Sequence, residues 1–361
     1  MCSFSLDDVL HVHMFHTTAC IMSLTLTSRD DLRVHLFESD WGPEKVCAKG
    51  TDKQPKSIPT ALRSFPERLK DIPHNLWLLT KDDNPTFVIP NTVFGICGAL
   101  AGSRLITHDH TSTTVLTRLP WVFLFNWSNL LVFDLANQRL PESAKEDALN
   151  KPWRPVPSGR MTSSQIRQSM LLALPLVLAF NRYVLTVWSE TALIYILTWM
   201  YNDLRGGDEG WILRNVIISF AFACFNMGSL KVAATGTTHS TETEITSEGY
   251  TWVIIISGVI LTTMHVQDLK DQAGDRARGR KTAPLVLGDL PARWTIAAPI
   301  PFWTAYCAYF WHLGWLAAAP MVLGIYTAWR CVAMKGKKTD RRTWHLWCLW
   351  TAVLYMMPLV R

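Results

Sequence analysis

Three aspartates, Asp268, Asp271 and Asp275, stand three and four residues apart in the stretch DLKDQAGDRARGRKT. On a helix of about 3.6 residues per turn, that spacing brings all three carboxylates onto one face. The stack repels itself, more strongly as the local dielectric falls. The residues just before it, TWVIIISGVILTTM, are almost wholly apolar, so the acids sit where a greasy segment ends. A divalent cation relieves the cost. Mg²⁺ takes carboxylate and water oxygens, and when one or two carboxylates hold it, substrate phosphates usually complete its shell. Arg276, Arg278, Arg280 and Lys281 follow at once and can grip the remaining phosphate oxygens. This pattern is that of a diphosphate site. The alternative is a solvated juxtamembrane face, its acids in water and its basic residues against lipid headgroups.

A second cluster raises the weight of the first reading. In NWSNLLVFDLANQRLPESAKEDALNKPWRPVPSGR, residues 126–160, Asp134, Asn137 and Gln138 share a helical face, with Asn126 and Asn129 a turn or two earlier. Polar residues within an apolar helix usually face an interior cavity. Glu146, Asp147 and Asn150 come next, then the stiff run KPWRPVPSGR with Arg154 and Arg160. Two acid-bearing helix ends, each trailed by arginines, suit a diphosphate bridged by metals.

Those ends must be carried by membrane helices. The chain has 361 residues, 49% of them hydrophobic, with 17 Trp, a net charge of +6 and a mean hydropathy of +0.11. Its long apolar stretches suit a lipid-embedded bundle better than a water-soluble core. A span needs roughly 20 mainly apolar residues. On that criterion the candidates are about 84–103, 114–136, 166–188, 190–204, 211–235, 251–269, 292–313, 315–334 and 342–360. With the start of the first span in the cytosol, segments 137–165, 205–209, 270–291 and 335–341 share that side and hold nearly all the loop Lys and Arg, the distribution that positive-inside retention gives. The reading is an all-α integral membrane protein: about nine helices around a lipid-facing cavity, residues 75–361, preceded by a cytosolic lead-in over 1–74 of mixed composition, whose last stretch, TDKQPKSIPTALRSFPERLKDIPHN, is polar and Pro-containing. Nothing resembling a signal peptide opens the chain. The eight Cys lack CxxC spacing and read as reduced thiols, neither a zinc site nor a disulfide frame. Nothing points to nucleic acid or to an obligatory protein partner.

Several polar residues have two readings. Arg182, inside LVLAFNRYVLTVW, is either a phosphate contact or a snorkelling side chain. Asn202 and Asp203 end the fourth span on the side of the acids, and Asn226 and Lys231 lie in the fifth. His108, Asp109 and His110 fall in an opposite-side loop and read as solvated. Most Trp and Phe are expected at interfaces and against lipid, with a minority facing the cavity, where their π-faces would stabilise a carbocation.

The two motifs resemble those of the UbiA superfamily of intramembrane prenyltransferases. DLKDQAGDRARGRKT is similar to its DxxDxxxD followed by Gly-Arg-Lys-Thr, and NKPWRPVPSGR to its Asn-x-Pro-x-Arg-Pro-x-x-x-Gly stretch. The resemblance implies nine helices around a prenyl cavity, Mg²⁺ as cofactor and a prenyl diphosphate as substrate. It makes Asp134, Asp147, Asp268, Asp271 and Asp275 metal ligands, with Asp134, Asp268, Asp271 and Asp275 catalytic; the insertion after Asp134 opens a ligand role for Asn137 or Gln138. Arg154, Arg160, Arg182, Arg276, Arg280 and Lys281 would bind the diphosphate. The first motif departs from the pattern: Asn129 is one residue out of register, and LANQRLPESAKE separates Asp134 from Asp147. WLLTKDD, FDLANQR and TWMYNDL resemble a fungal branch that includes membrane-bound terpene cyclases of secondary metabolism. Cyclisation of a farnesyl or geranylgeranyl diphosphate is thus expected, with prenyl transfer to an aromatic or other small acceptor as the alternative, and an endoplasmic reticulum membrane as the location. A non-catalytic, cation-binding carrier would show no Mg²⁺-dependent diphosphate release.

Overall fold

The computed structural model describes residues 65–360 apart from 109 and 236–243, so Asp109 and the lead-in up to 64 lie outside the described residues. Within that range the chain is helical, and its one β pairing is an isolated bridge between Ile106 and Ile245. The apolar stretches marked out by hydropathy are helical, some of them in two pieces. After α1 (Phe65–Thr80) come α2 (Asn84–Leu100), α3 (Leu119–Gln138), α4 (Pro141–Asn150), α5 (Ser163–Tyr183), α6 (Trp188–Asn202) and α7 (Trp211–Ala234). The remainder are α8 (Ser247–Thr263), α9 (Asp268–Arg278), α10 (Asp289–Ala297), α11 (Pro299–Phe310), α12 (Ala318–Ala333) and α13 (Lys337–Tyr355). Among the described residues, four helical stretches are long and apolar enough to cross a membrane: Ser112–Gln138, Trp211–Ala234, Ser247–Arg278 and Gly314–Ala333. The expected span at 292–313 is two helices, because Pro299 opens a new one where the first would continue.

Local chemistry sets the helix ends that matter. Thr162 and Gln165 form a reciprocal capping box at the start of α5, and Thr246 caps α8 by accepting from the Gly249 N–H at 3.0 Å. The apolar α8 does not run straight into the acids. A 3-10 turn, Met264–Gln267, intervenes before α9 begins at Asp268, and Gly279, at φ +81, ends α9 in the left-handed conformation that glycine adopts without strain.

Large apolar side chains such as Ile254, Phe302 and Val322 stand exposed on the outside, 70%, 60% and 68% accessible, as lipid-facing positions require. Among the described tryptophans, Trp77, Trp121, Trp188, Trp199, Trp294, Trp315 and Trp329 are exposed, as expected at interfaces and against lipid, while a smaller group fills the core. Trp252, Trp311, Trp347 and Trp350 are fully buried. In α13, Trp344, Trp347 and Trp350 donate their indole N–H groups to Thr86 (3.1 Å), Thr263 (2.9 Å) and Thr304 (2.9 Å), on α2, α8 and α11. A threonine hydroxyl satisfies the one polar atom of each ring, which lets the ring fill the core.

Candidate active site

The sequence places carboxylates and cations at one end of several helices and apolar residues one or two turns deeper, and the helices converge so that these line a single cleft. On α2, Asp83 at the N-cap is followed by Phe87; on α3, Asp134 is preceded by Leu130; on α6, Tyr201 is preceded by Thr198 and Ile194; on α7, Arg214 leads to Ile218 and Phe225. From Arg214 to Phe225 the helix climbs roughly 16 Å at 1.5 Å per residue. The cleft encloses about 860 Å³ of space not filled by atoms, its open mouth included. Asp83, Asp134, Glu146, Asp271 and Asp275 meet Lys151, Arg154, Arg214 and Arg280 at the mouth. The walls below are Phe87, Leu130, Phe133, Ile194, Ile217 and Phe225.

Arg154 organises the first half of the mouth. It donates to Asp83 at 2.6 Å and to both oxygens of Asp147 at 3.1 Å, and lies 3.5 Å from Asp134. Burial alone would raise the Asp83 carboxyl; Lys151 and Arg154 beside it hold it down at about 2. Asp147 is raised by burial, against the pull of Arg154. In the second half, Asp268 is ion-paired to Arg214, whose Nε also donates to the Tyr201 hydroxyl at 3.0 Å. Arg280 joins Glu146 at 3.2 Å and Asp208 at 3.0 Å, and Arg278 joins the same two acids.

Asn150 stitches the halves together. Its Oδ1 accepts from the Gly274 N–H at 3.1 Å and its Nδ2 donates to the Asp271 carbonyl at 2.8 Å, holding α4 against α9. Gly274 permits this approach, since a Cβ there would stand 2.2 Å from Asn150 Nδ2.

Three buried carboxylate oxygens have no protein partner: Oδ2 of Asp134, of Asp268 and of Asp275. Unpartnered buried anionic oxygens are costly, and hard oxygen donors fit Mg²⁺. Among the described residues no group of three or more His, Cys, Asp or Glu is gathered closely enough to hold a metal by itself. The donor set therefore fits an ion held by one or two carboxylates and completed by substrate oxygens.

Of the residues singled out in the sequence, Asp134, Asn137, Asp271, Asp275, Arg154 and Arg280 line the cleft, and Asp268 lies just behind it on Arg214. Others need correction. Arg182 closes α5 at the end away from the acids, exposed and stacked 5.9 Å from the rings of Tyr183 and Trp188, so it does not reach a diphosphate there. Asp147 commits both oxygens to Arg154 and is not among the residues lining the cleft, which removes it from the expected metal ligands. Arg276, one residue round the helix from Asp275, points outward and is exposed, as is Lys281; Arg160 follows the turn at Gly159, outside the cleft. Of the secondary candidates, Asn202 accepts from Asn137 at 3.0 Å, whereas Asp203 pairs with Arg139 and Lys231 with Glu190.

Sequence reasoning missed Asp83, Lys151, Arg214 and Tyr201. A signal existed for Arg214, a lone cation in WILRNVII, and for Asp83, in a KDD run before an apolar helix.

A model of the UbiA prenyltransferase family matches residues 88–351. The chain is 29% identical over 288 residues to a somaliensene A/B synthase of Streptomyces somaliensis, covering 76% of this chain and 88% of that one. It is 31% identical to a fumagillin beta-trans-bergamotene synthase of Aspergillus fumigatus, covering 65% and 74%, and 30% identical to a polyprenyl transferase of Hericium erinaceus, covering 71% and 84%. Among solved structures, a UbiA homologue from Archaeoglobus fulgidus bound to GPP and Mg²⁺ matches with a TM-score of 0.51 at 11% identity, over 79% of this chain and 99% of that one, a likeness of fold. A family match that runs from the first cleft helix to the last places this chain, as an enzyme, in the UbiA prenyltransferase family.

Proposed function

We propose that the chain ionises a farnesyl or geranylgeranyl diphosphate in the membrane with the help of Mg²⁺ and lets the allylic chain cyclise to a terpene. The observation that carries this is the cleft itself: charged at its mouth, with unpartnered carboxylate oxygens, and walled below by Phe87, Leu130, Phe133, Ile217 and Phe225. Asp134, Asp268, Asp271 and Asp275, with Asn137 beside them, would hold Mg²⁺, which when bound neutralises the charge that builds on the departing diphosphate. Lys151, Arg154, Arg214 and Arg280 supply fixed donors to the phosphate oxygens. The C–O bond breaks with its electron pair leaving on the diphosphate. The allylic cation is left among apolar walls that exclude water and include the aromatic rings of Phe87, Phe133 and Phe225. A distal double bond then closes a new C–C bond, and loss of a proton ends the reaction.

In this reading residues 75–361 form the catalytic domain, about nine helices cross the bilayer, and the acidic mouth opens to the cytosol from the endoplasmic reticulum membrane, in fungal secondary metabolism. Similarity to two named terpene synthases supports cyclisation. Similarity to the Hericium polyprenyl transferase supports a second reading, in which an acceptor captures the cation. Microsomes containing the chain, given either diphosphate with Mg²⁺ and no acceptor, decide by gas chromatography with mass detection. A cyclic hydrocarbon missing from the Asp271→Ala variant is the expected result; intact diphosphate or a simple prenyl alcohol would move the reading to transfer.

A further inference from the structure

Beside the catalytic mouth lies a second groove, lined by Leu149, Asn150, Pro152 and Trp153 and by five cations, Lys151, Lys270, Lys337, Lys338 and Arg341, against one carboxylate, Asp271. Lys151 and Asp271 line both spaces and form the wall between them. Three of the cations have acidic partners: Lys270 pairs with Asp271, Arg341 with Asp82 at 2.8 Å, and Lys151 lies 3.8 Å from Asp83. The other two do not. Lys337 donates to a neutral carbonyl, that of Leu149, at 2.9 Å, and Lys338 is exposed without an ion pair among the described residues.

Lys337 and Lys338 also break a local rule. They occupy the first turn of α13, where the helix dipole favours acids and disfavours cations. The one acid in that turn, Asp340, is already held by Arg293 through contacts of 2.7 and 2.9 Å. Retention of positive charge on one side of a membrane explains basic residues in this loop. It does not require that they converge with Lys151 and Lys270 on one groove, nor that two of them stand on the wrong end of a helix dipole. A bound anion explains both, because it would compensate the unpaired lysines and lie at the end of the α13 dipole that favours negative charge.

We propose that this groove is a second anion site, for a phosphate-bearing group, adjoining the diphosphate mouth across the Lys151 and Asp271 wall. Two sources carry that chemistry: the headgroup of an anionic phospholipid, and free diphosphate of the kind the proposed reaction releases. The second rests on the proposed function; the site itself does not.

The test uses the full chain in phosphatidylcholine nanodiscs with EDTA present, so that metal-assisted binding in the catalytic cleft does not contribute. Inorganic diphosphate is titrated calorimetrically, and retention of phosphatidylinositol phosphate doped into the discs is read by native mass spectrometry. Lys337→Ala/Lys338→Ala is compared with Lys335→Ala/Arg342→Ala, which removes the same charge from neighbouring positions that do not line the groove. A roughly tenfold weakening of diphosphate binding in the first variant alone supports the site with a free anion as occupant; loss of lipid adducts in the first variant alone supports it with a headgroup. Equal effects in both variants, or none in either, would overturn the proposal. Because neither readout involves turnover, failure here leaves the proposed reaction standing, and absence of turnover leaves this test intact.

Discussion

Gly274→Ala should destabilise the protein and cripple diphosphate release, although helix propensity alone points the other way. Within a helix, alanine is favoured over glycine by about 1 kcal/mol. Gly274 lies inside α9, so an isolated segment would gain. In the folded protein its Cβ would stand 2.2 Å from Asn150 Nδ2, 2.6 Å from Asn150 Cγ and 2.7 Å from the Glu146 carbonyl oxygen. The last of these is backbone and cannot swing aside, so α4 has to move off α9. That movement lengthens both Asn150 bonds, each contributing about 0.5–1.5 kcal/mol, and overpacking adds roughly 1–3 kcal/mol. Set against the propensity gain, the net loss is roughly 1–5 kcal/mol, centred on about 3. The catalytic effect should be larger in proportion. Asp271 and Asp275 flank Gly274, and a misplacement near 1 Å costs on the order of 100-fold in rate. Thermal unfolding followed by tryptophan fluorescence, together with Mg²⁺-dependent diphosphate release, measures both. A variant as stable as the wild type and fully active would refute the claim that close α4–α9 contact sets the site.

Asp271→Asn, which keeps shape and removes charge, should lower Mg²⁺-dependent release at least 100-fold with little change in expression or fold, as judged by size-exclusion profile. Arg182→Ala should leave release within about twofold of the wild type, since the side chain stands at the far end of α5; a large loss would restore it to the site. Asp83 gives a pH prediction. Its folded pKa of about 2 lies below the unfolded value near 3.9, so its contribution to stability is fully present above pH 4 and disappears as pH falls through 2. The shift corresponds to about 2–3 kcal/mol, and Asp83→Asn should flatten the acid limb of stability between pH 4 and 2; an unchanged limb would show that Asp83 is not held by Lys151 and Arg154. Trp350→Phe, which leaves the Thr304 hydroxyl without its indole donor, should cost about 1 kcal/mol in thermal stability without changing the product profile.

Hydropathy made the helices legible, because each long apolar stretch has few ways to satisfy its backbone in lipid, and a helix satisfies all of it internally. The aspartates of α9 were legible for a similar reason: spacings of three and four define a face whatever surrounds it. What stayed hidden depends on pairing across elements. Asp147 looks like a sixth ligand until Arg154 folds back onto it at 3.1 Å, and Asp83 looks like part of a solvated turn until the same guanidinium reaches it at 2.6 Å. No single-sequence period encodes that closure.

Two of the arginines within apolar stretches show where the sequence held more than was drawn from it. Arg182 and Arg214 carry the same signal, a lone cation in an apolar run, yet only Arg214 lines the cleft. Direction along the chain separates them. The third apolar stretch begins beside the KPWRPVPSGR motif and runs away from it, so Arg182, near its end, is carried to the far side of the bundle. The fifth begins on the side of the acids, and Arg214, four residues into α7, stays level with Asp268. A charge within an apolar helix marks function when its depth, counted from the correct end, equals that of its partner. The order of spans was enough to make that count before any coordinates, and on it the deeper arginine belongs to the fold's edge and the shallower one to the site.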